Sequence, residues 1–124
     1  MRVKTSKLTG TALDWAVAEC EGVEVEYVDD GITRCLLQKP SGRYAPTTDW
    51  SQGGKIINRE WISIECWPNE SDEDDRWVAT RHEQPCVSEE RGETPLIAAM
   101  RCYVASKLGD EVEIPEELKG DSNV

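Results

Sequence analysis

Thr94-Pro95-Leu96-Ile97-Ala98-Ala99-Met100-Arg101-Cys102-Tyr103-Val104-Ala105-Ser106-Lys107-Leu108-Gly109 is the stretch on which the fold turns. Thr94 suits a helix N-cap, Pro95 the first helical position and Gly109 the stop. Between them Leu96, Ile97, Met100, Tyr103 and Val104 recur at helical spacing and make a broad apolar stripe. Ala98, Ala99, Cys102, Ala105 and Ser106 add a face of small residues, which lets another backbone come close, either within one subunit or across a two-fold axis. Arg101 lies among these apolar and small residues. It either snorkels to the surface or points into a pocket at a subunit seam.

Toward the N-terminus, Thr9 to Glu21 predicts another helix, because Leu13, Ala16, Val17 and Cys20 keep the spacing of a buried face and Gly22 ends it. Thr9 or Thr11 can cap it, and Thr11 with Asp14 gives a weak capping-box pattern. Val23-Glu24-Val25-Glu26-Tyr27 alternates apolar and acidic residues and is followed by the turn residues Asp29-Asp30-Gly31 and a β-rich run, Ile32 to Gln38. That is a hairpin. Lys39 to Gly42 closes it, and Arg43 to Gly54 reads as a long irregular loop.

A further strand is expected from Ile56 to Trp67, bent near Asn58-Arg59, with an acidic turn over 68–75 and a returning strand at Trp77 to Thr80. The tail 110–124 is acidic and is expected to fray. The expected fold is α+β: a small antiparallel sheet of about four strands flanked by an N-terminal and a C-terminal helix, with 1–124 forming one domain.

The formal net charge of −11 disfavours direct binding to nucleic acid or to an anionic membrane, since both need Lys and Arg to displace counterions. No apolar run reaches the length of a membrane span, and the polar start Met1 to Lys7 is no secretory signal, so the cytosol is the expected location. Five cysteines without a C-x-x-C pair, beside the single His82, argue against a structural metal and for free thiols. The same lone histidine, with no nucleophile signature, P-loop or dinucleotide fingerprint, argues against an enzyme, and no cofactor is expected. The acidic run Asn69 to Asp75 reads as a solvated loop rather than a cation site.

Arg43-Tyr44-Ala45-Pro46-Thr47-Thr48-Asp49-Trp50-Ser51-Gln52-Gly53-Gly54 is different in kind, since it joins a cation, two aromatic rings, hydroxyls, a carboxylate and paired glycines. Tyr44 or Trp50 can stack on a base, Arg43 can meet a phosphate, Thr47 and Thr48 can donate, and Asp49 can accept from ribose hydroxyls. Gly53 and Gly54 supply freedom. The competing reading has Asp49 capping a turn, Trp50 filling the core and the glycines at positive φ. The ligand-binding candidates are therefore Arg43, Tyr44, Thr47, Thr48, Asp49, Trp50, Gly53, Gly54 and Arg101.

Three ordered blocks, Val3 to Ala18, Tyr44 to Gly54 and Thr94 to Ala105, resemble the NinX-like family of bacteriophage proteins, with Lys55 standing where the family pattern has a proline. The resemblance implies a phage accessory protein acting in the host bacterial cytoplasm, and it brings no catalytic residue. The expected function is capture of a host-made, nucleotide-like small molecule as a counter-defence. The alternative is an acidic protein-interaction or DNA-mimic module that blocks or redirects a host protein.

Overall fold

The computed structural model describes residues 2–29, 31–32, 34–38, 42–67, 76–83 and 86–121. The elements run β1 (Arg2–Lys4), a 3-10 turn (Thr5–Lys7), α1 (Gly10–Glu21), β2 (Glu26–Asp29), β3 (Arg34–Gln38) and β4 (Gly42–Tyr44). They continue with α2 (Trp50–Glu60), β5 (Ile62–Cys66), β6 (Trp77–Glu83), β7 (Cys86–Gly92), α3 (Pro95–Leu108), β8 (Glu111–Glu113) and a second 3-10 turn (Glu116–Asp121). The chain is α+β with antiparallel sheets, as its sequence pattern implies.

At the centre lies α3, from Pro95 to Leu108. Thr94 caps it by accepting from the Ile97 N–H at 3.1 Å. Its apolar stripe is buried, and on its small-residue face Ala98, Ala99 and Cys102 are fully enclosed while Ala105 and Ser106 are half-buried, so it is a core helix rather than a surface one. The small-residue face receives β7: a Cβ on Gly92 would stand 2.7 Å from the Ala98 nitrogen, and the Cys102 thiol donates to the Ser88 carbonyl at 3.3 Å. Sheet β5-β6-β7 packs on α3, and α1 and α2 contact it as well.

α1 stops where Gly22 takes a φ of 69° and donates back to Ala18 and Glu19, a left-handed cap that glycine adopts at no steric cost. The hairpin forms between β2 and β3, with Asp29 Oδ1 accepting from the Gly31 N–H at 2.9 Å. The paired strand starts at Glu26 rather than Val23.

Several expectations are corrected. The described residues form eight strands in sheets of two or three, not one sheet of about four. β7 had no signal, because Ser88-Glu89-Glu90-Arg91 lacks apolar alternation. The loop expected from Arg43 to Gly54 is the end of β4, a turn and the start of α2, and the strand expected from Ile56 begins only at Ile62. Between them α2 ends on Trp61, whose φ of 54° and ψ of 48° are left-handed.

The tail is no frayed appendage over its first part. β8 pairs with β1, bringing Val3 opposite Val112, and Thr5 donates through its hydroxyl to the Gly109 carbonyl at 2.6 Å. Ile114 and Leu118 complete the core, which therefore draws on both ends of the chain. The acidic run 69–75 and residues 122–124 lie outside the described residues. Cys20, Cys35, Cys66 and Cys102 are free thiols.

Candidate functional site

The stretch from β4 into α2 is held at three places. Gln52 uses both ends of its amide: Oε1 accepts from the Ala45 N–H at 2.7 Å and Nε2 donates to the Arg43 carbonyl at 2.9 Å. Asp49 is the N-cap of α2, its Oδ1 accepting from the Ser51 N–H at 2.9 Å and from the Ser51 hydroxyl at 2.6 Å. These two bonds hold the Asp49 carboxyl below its ordinary value. The third place is Asp14 on α1, whose Oδ1 accepts from the Thr47 N–H at 2.9 Å.

Asp14 is 7% exposed, and burial pushes its carboxyl up to about 6, against the hydrogen bonds from Thr47 and the charge of Arg43, which pull it down. It therefore does not reach back to cap α1. A charged residue inside the apolar stretch Ala12-Leu13-Asp14-Trp15-Ala16-Val17-Ala18 was the available sign that it had a buried partner.

Close packing fixes the rest. A Cβ on Gly53 would stand 2.3 Å from the Pro46 carbonyl oxygen and 2.7 Å from Leu96 Cδ2, so only glycine lets α2 settle on the turn and on α3. Gly53 and Gly54 lie within a helix and not at positive φ, contrary to one expectation. Gly54 faces outward, and a Cβ there would meet the Trp50 ring at an ordinary 3.7 Å.

The nine candidates are divided by these contacts. Tyr44 and Thr47 are buried, Gly53 is packed and Asp49 caps the helix, so these four have structural duties. Arg43, Thr48 and Trp50 are exposed, with Trp50 55% accessible rather than filling the core, and Gly54 lies against its ring. Arg101 is half-buried at another corner, donating through Nε to the Leu8 carbonyl and through Nη1 to the Arg91 carbonyl, both at 2.8 Å. Neither carbonyl belongs to the 43–54 segment.

At the far end of α2 lies a charged cluster that the sequence did not single out. Arg59 grips Glu21 with Nη1 at 2.9 Å and Nη2 at 2.6 Å, reaches Glu60 with Nε at 2.8 Å, and lies 5.8 Å from the centre of the Tyr103 ring. Glu60 also accepts from Arg81 at 2.9 Å. The Arg59 hydrogen bond holds Glu60 below its usual range, and bonds from Arg59 and Tyr103 overcome burial to do the same for Glu21. This cluster joins α1, α2, α3 and β6.

The Cys20 and Cys102 thiols are pushed up to about 12 by burial, so neither offers a thiolate near neutral pH. Among the described residues no three His, Cys, Asp or Glu side chains cluster as metal ligands. A cleft of about 580 Å³ opens between Lys4, Ser6, Glu90, Asp110 and Glu111, and another of about 260 Å³ beside Trp15, Leu108 and Val112. Neither is lined by residues 43–54. Among the described residues no helix is long and apolar enough to cross a membrane.

A family model described as Bacteriophage P22, NinX, matches residues 4–107. That span holds α1, the 43–54 segment and nearly all of α3. Among curated proteins nothing matches the chain.

Proposed function

The chain belongs to the bacteriophage P22 NinX family, and from that premise we propose that it is a binding module acting in the infected host cell, with Arg43, Thr48, Trp50 and Gly54 as its contact surface. The ligand class this surface suits is a flat, anionic small molecule of nucleotide type. The observation that carries the reading is the rigid presentation of Trp50. Asp14, Gln52 and Asp49 each spend polar groups on fixing the turn before α2, while the indole at its end remains 55% exposed. A preorganised aromatic face loses little conformational freedom when a base stacks on it, and the exposed Arg43 of the same segment carries the charge to meet a phosphate. Capture of a host-made signal as a counter-defence is a role that needs no catalytic group.

The rival reading, an acidic decoy for a basic host protein, draws on the net charge of −11, while the acidic run 69–75 lies outside the described residues. Titration calorimetry with mono-, di- and cyclic nucleotides, joined to native mass spectrometry of protein recovered from host lysate, separates the two. Expected is a stoichiometric small molecule whose affinity falls at least tenfold in Arg43→Ala/Trp50→Ala at unchanged melting temperature. Failure to bind any nucleotide, or binding undiminished in that pair, removes the reading. Salt-labile capture of a basic protein in its place favours the decoy.

A further inference from the structure

Among the described strands β8 pairs with β1 on one side and with none on the other. Its ladder shows which backbone groups that leaves over. The Thr5 N–H donates to the Asp110 carbonyl at 2.8 Å, and the same register sets Val3 opposite Val112 two places on, so these are the hydrogen-bonded pairs. In an antiparallel ladder the residues between such pairs turn their N–H and C=O to the opposite edge. Glu111, and Glu113 by the same alternation, therefore aim their backbone away from β1. Among the described residues none bonds to the Glu111 backbone on that side.

The outer edge of β8 borders the groove of about 260 Å³, lined by Trp15 and Glu19 of α1, Leu108 at the end of α3, and Glu111, Val112 and Glu113. That volume is below the roughly 300–1,000 Å³ of pockets for drug-sized ligands and suits one side chain of a larger partner. Trp15 is half-buried and Leu108 is 42% exposed, so the wall facing the edge is apolar and accessible. An unpaired strand edge beside an apolar wall is a template for strand addition.

β1 already shows the chemistry that β8 accepts. It reads Arg2-Val3-Lys4 and lies opposite Glu113, Val112 and Glu111, a basic, apolar, basic strand against an acidic, apolar, acidic one. Residues opposite each other share a face, so Val3 and Val112 turn to the core while the cations share the outer face with the carboxylates. Arg2 comes to 3.6 Å from Glu111 and 3.9 Å from Glu113, beyond hydrogen-bond length. A carboxylate offers about four acceptor sites, which leaves Glu111 capacity for a second cation. A strand of the same alternation added on the free edge sets its apolar residue toward Trp15 and Leu108 and its cations beside Glu111 and Glu113, with Glu19 at the rim. The net charge of −11 favours a basic partner there over a second copy of this chain.

We propose that the β8 edge takes a third strand from a partner protein, an extended segment in which basic and apolar residues alternate. The docking involves none of residues 43–54 and does not rest on the small-molecule reading.

Calorimetric titration of the full chain with a capped Lys-Val-Arg-Val-Lys peptide tests it. Expected is saturable one-to-one binding with a Kd of about 10–500 µM, as befits a short added strand, weakening as salt is raised. Leu108→Lys and Glu19→Lys should each weaken it at least tenfold at unchanged melting temperature, since both side chains are exposed. N-methylation of the peptide at one set of alternate residues should abolish binding and at the other set leave it, the signature of main-chain pairing along one edge. A Glu-Val-Glu-Val-Glu peptide should not bind. No saturation by about 1 mM, binding undiminished in both variants, or equal tolerance of the two N-methylated sets overturns the proposal. So does a dimer in sedimentation velocity that Leu108→Lys dissolves, which would give the groove to a second copy. Peptide binding in a chain that binds no nucleotide supports the strand docking and counts against the small-molecule reading only.

Discussion

The carboxylate of Asp14 and the backbone N–H of Thr47 meet at 2.9 Å across 33 positions of the chain, and this buried bond, with a second from the Thr47 side chain, ties the turn before α2 to α1. Burial raises the Asp14 carboxyl from 3.8 to about 6, so the folded chain holds this proton more tightly than the unfolded one. The stability so contributed is complete below pH 3.8 and is lost as pH rises through about 6. Asparagine keeps the accepting oxygen without the charge. Asp14→Asn should therefore match the parent chain at pH 4 and exceed it at pH 8 by roughly 1–3 kcal/mol, as read from urea unfolding at the two pH values. An advantage no larger at pH 8 than at pH 4 would contradict the assignment.

Gly53 and Gly54 are neighbours in sequence with opposite expectations. Alanine at Gly53 drives a methyl into the Pro46 carbonyl at 2.3 Å and should cost about 1–3 kcal/mol despite its better helix propensity. Alanine at Gly54 makes only a normal contact with Trp50 and should stabilise by about 0.5–1 kcal/mol. Thermal melts of the two variants at low protein concentration decide it.

Glu60 accepts from both Arg59 and Arg81. Its folded pKa is lowered, so its contribution is present above its ordinary 4.5 and disappears as pH falls through the folded value. Glu60→Gln should cost about 1–2 kcal/mol at pH 7, and the difference from the parent should close toward pH 3. Unfolding curves across that range provide the check.

Leu118, Ile114 and Val112 place the acidic tail inside the core. Leu118→Ala should cost about 2–4 kcal/mol, and a chain ending at Gly109 should lose cooperative unfolding, as seen by near-ultraviolet circular dichroism and calorimetry. A truncated chain that melts like the parent would restore the view of the tail as an appendage.

Helices 10–21 and 95–108 were legible because period, cap and stop all lie within a local window: Gly22 and Gly109 end them, and Thr94 with Pro95 begins the second. α2 was hidden by Gly53 and Gly54, whose weak propensity masked a readable sign, the spacing of Asp49 and Gln52 that often marks a helix start. In the structure Gln52 uses its amide elsewhere, on Ala45 and Arg43, so even that sign would have led to the helix by a different bond.

The sequence by itself determined the α+β class, the two strongest helices and the family, and its residue types singled out the segment from Arg43 to Gly54. Tertiary structure alone decided how that segment is divided: Tyr44, Thr47 and Gly53 turned inward, and Arg43, Thr48 and Trp50 left outside. The physical reason is separation along the chain. What makes glycine necessary at 53 is the close approach of Leu96 on α3 as well as of the turn, and what fixes the turn is a carboxylate on α1, so no local window contains both these residues and their distant partners.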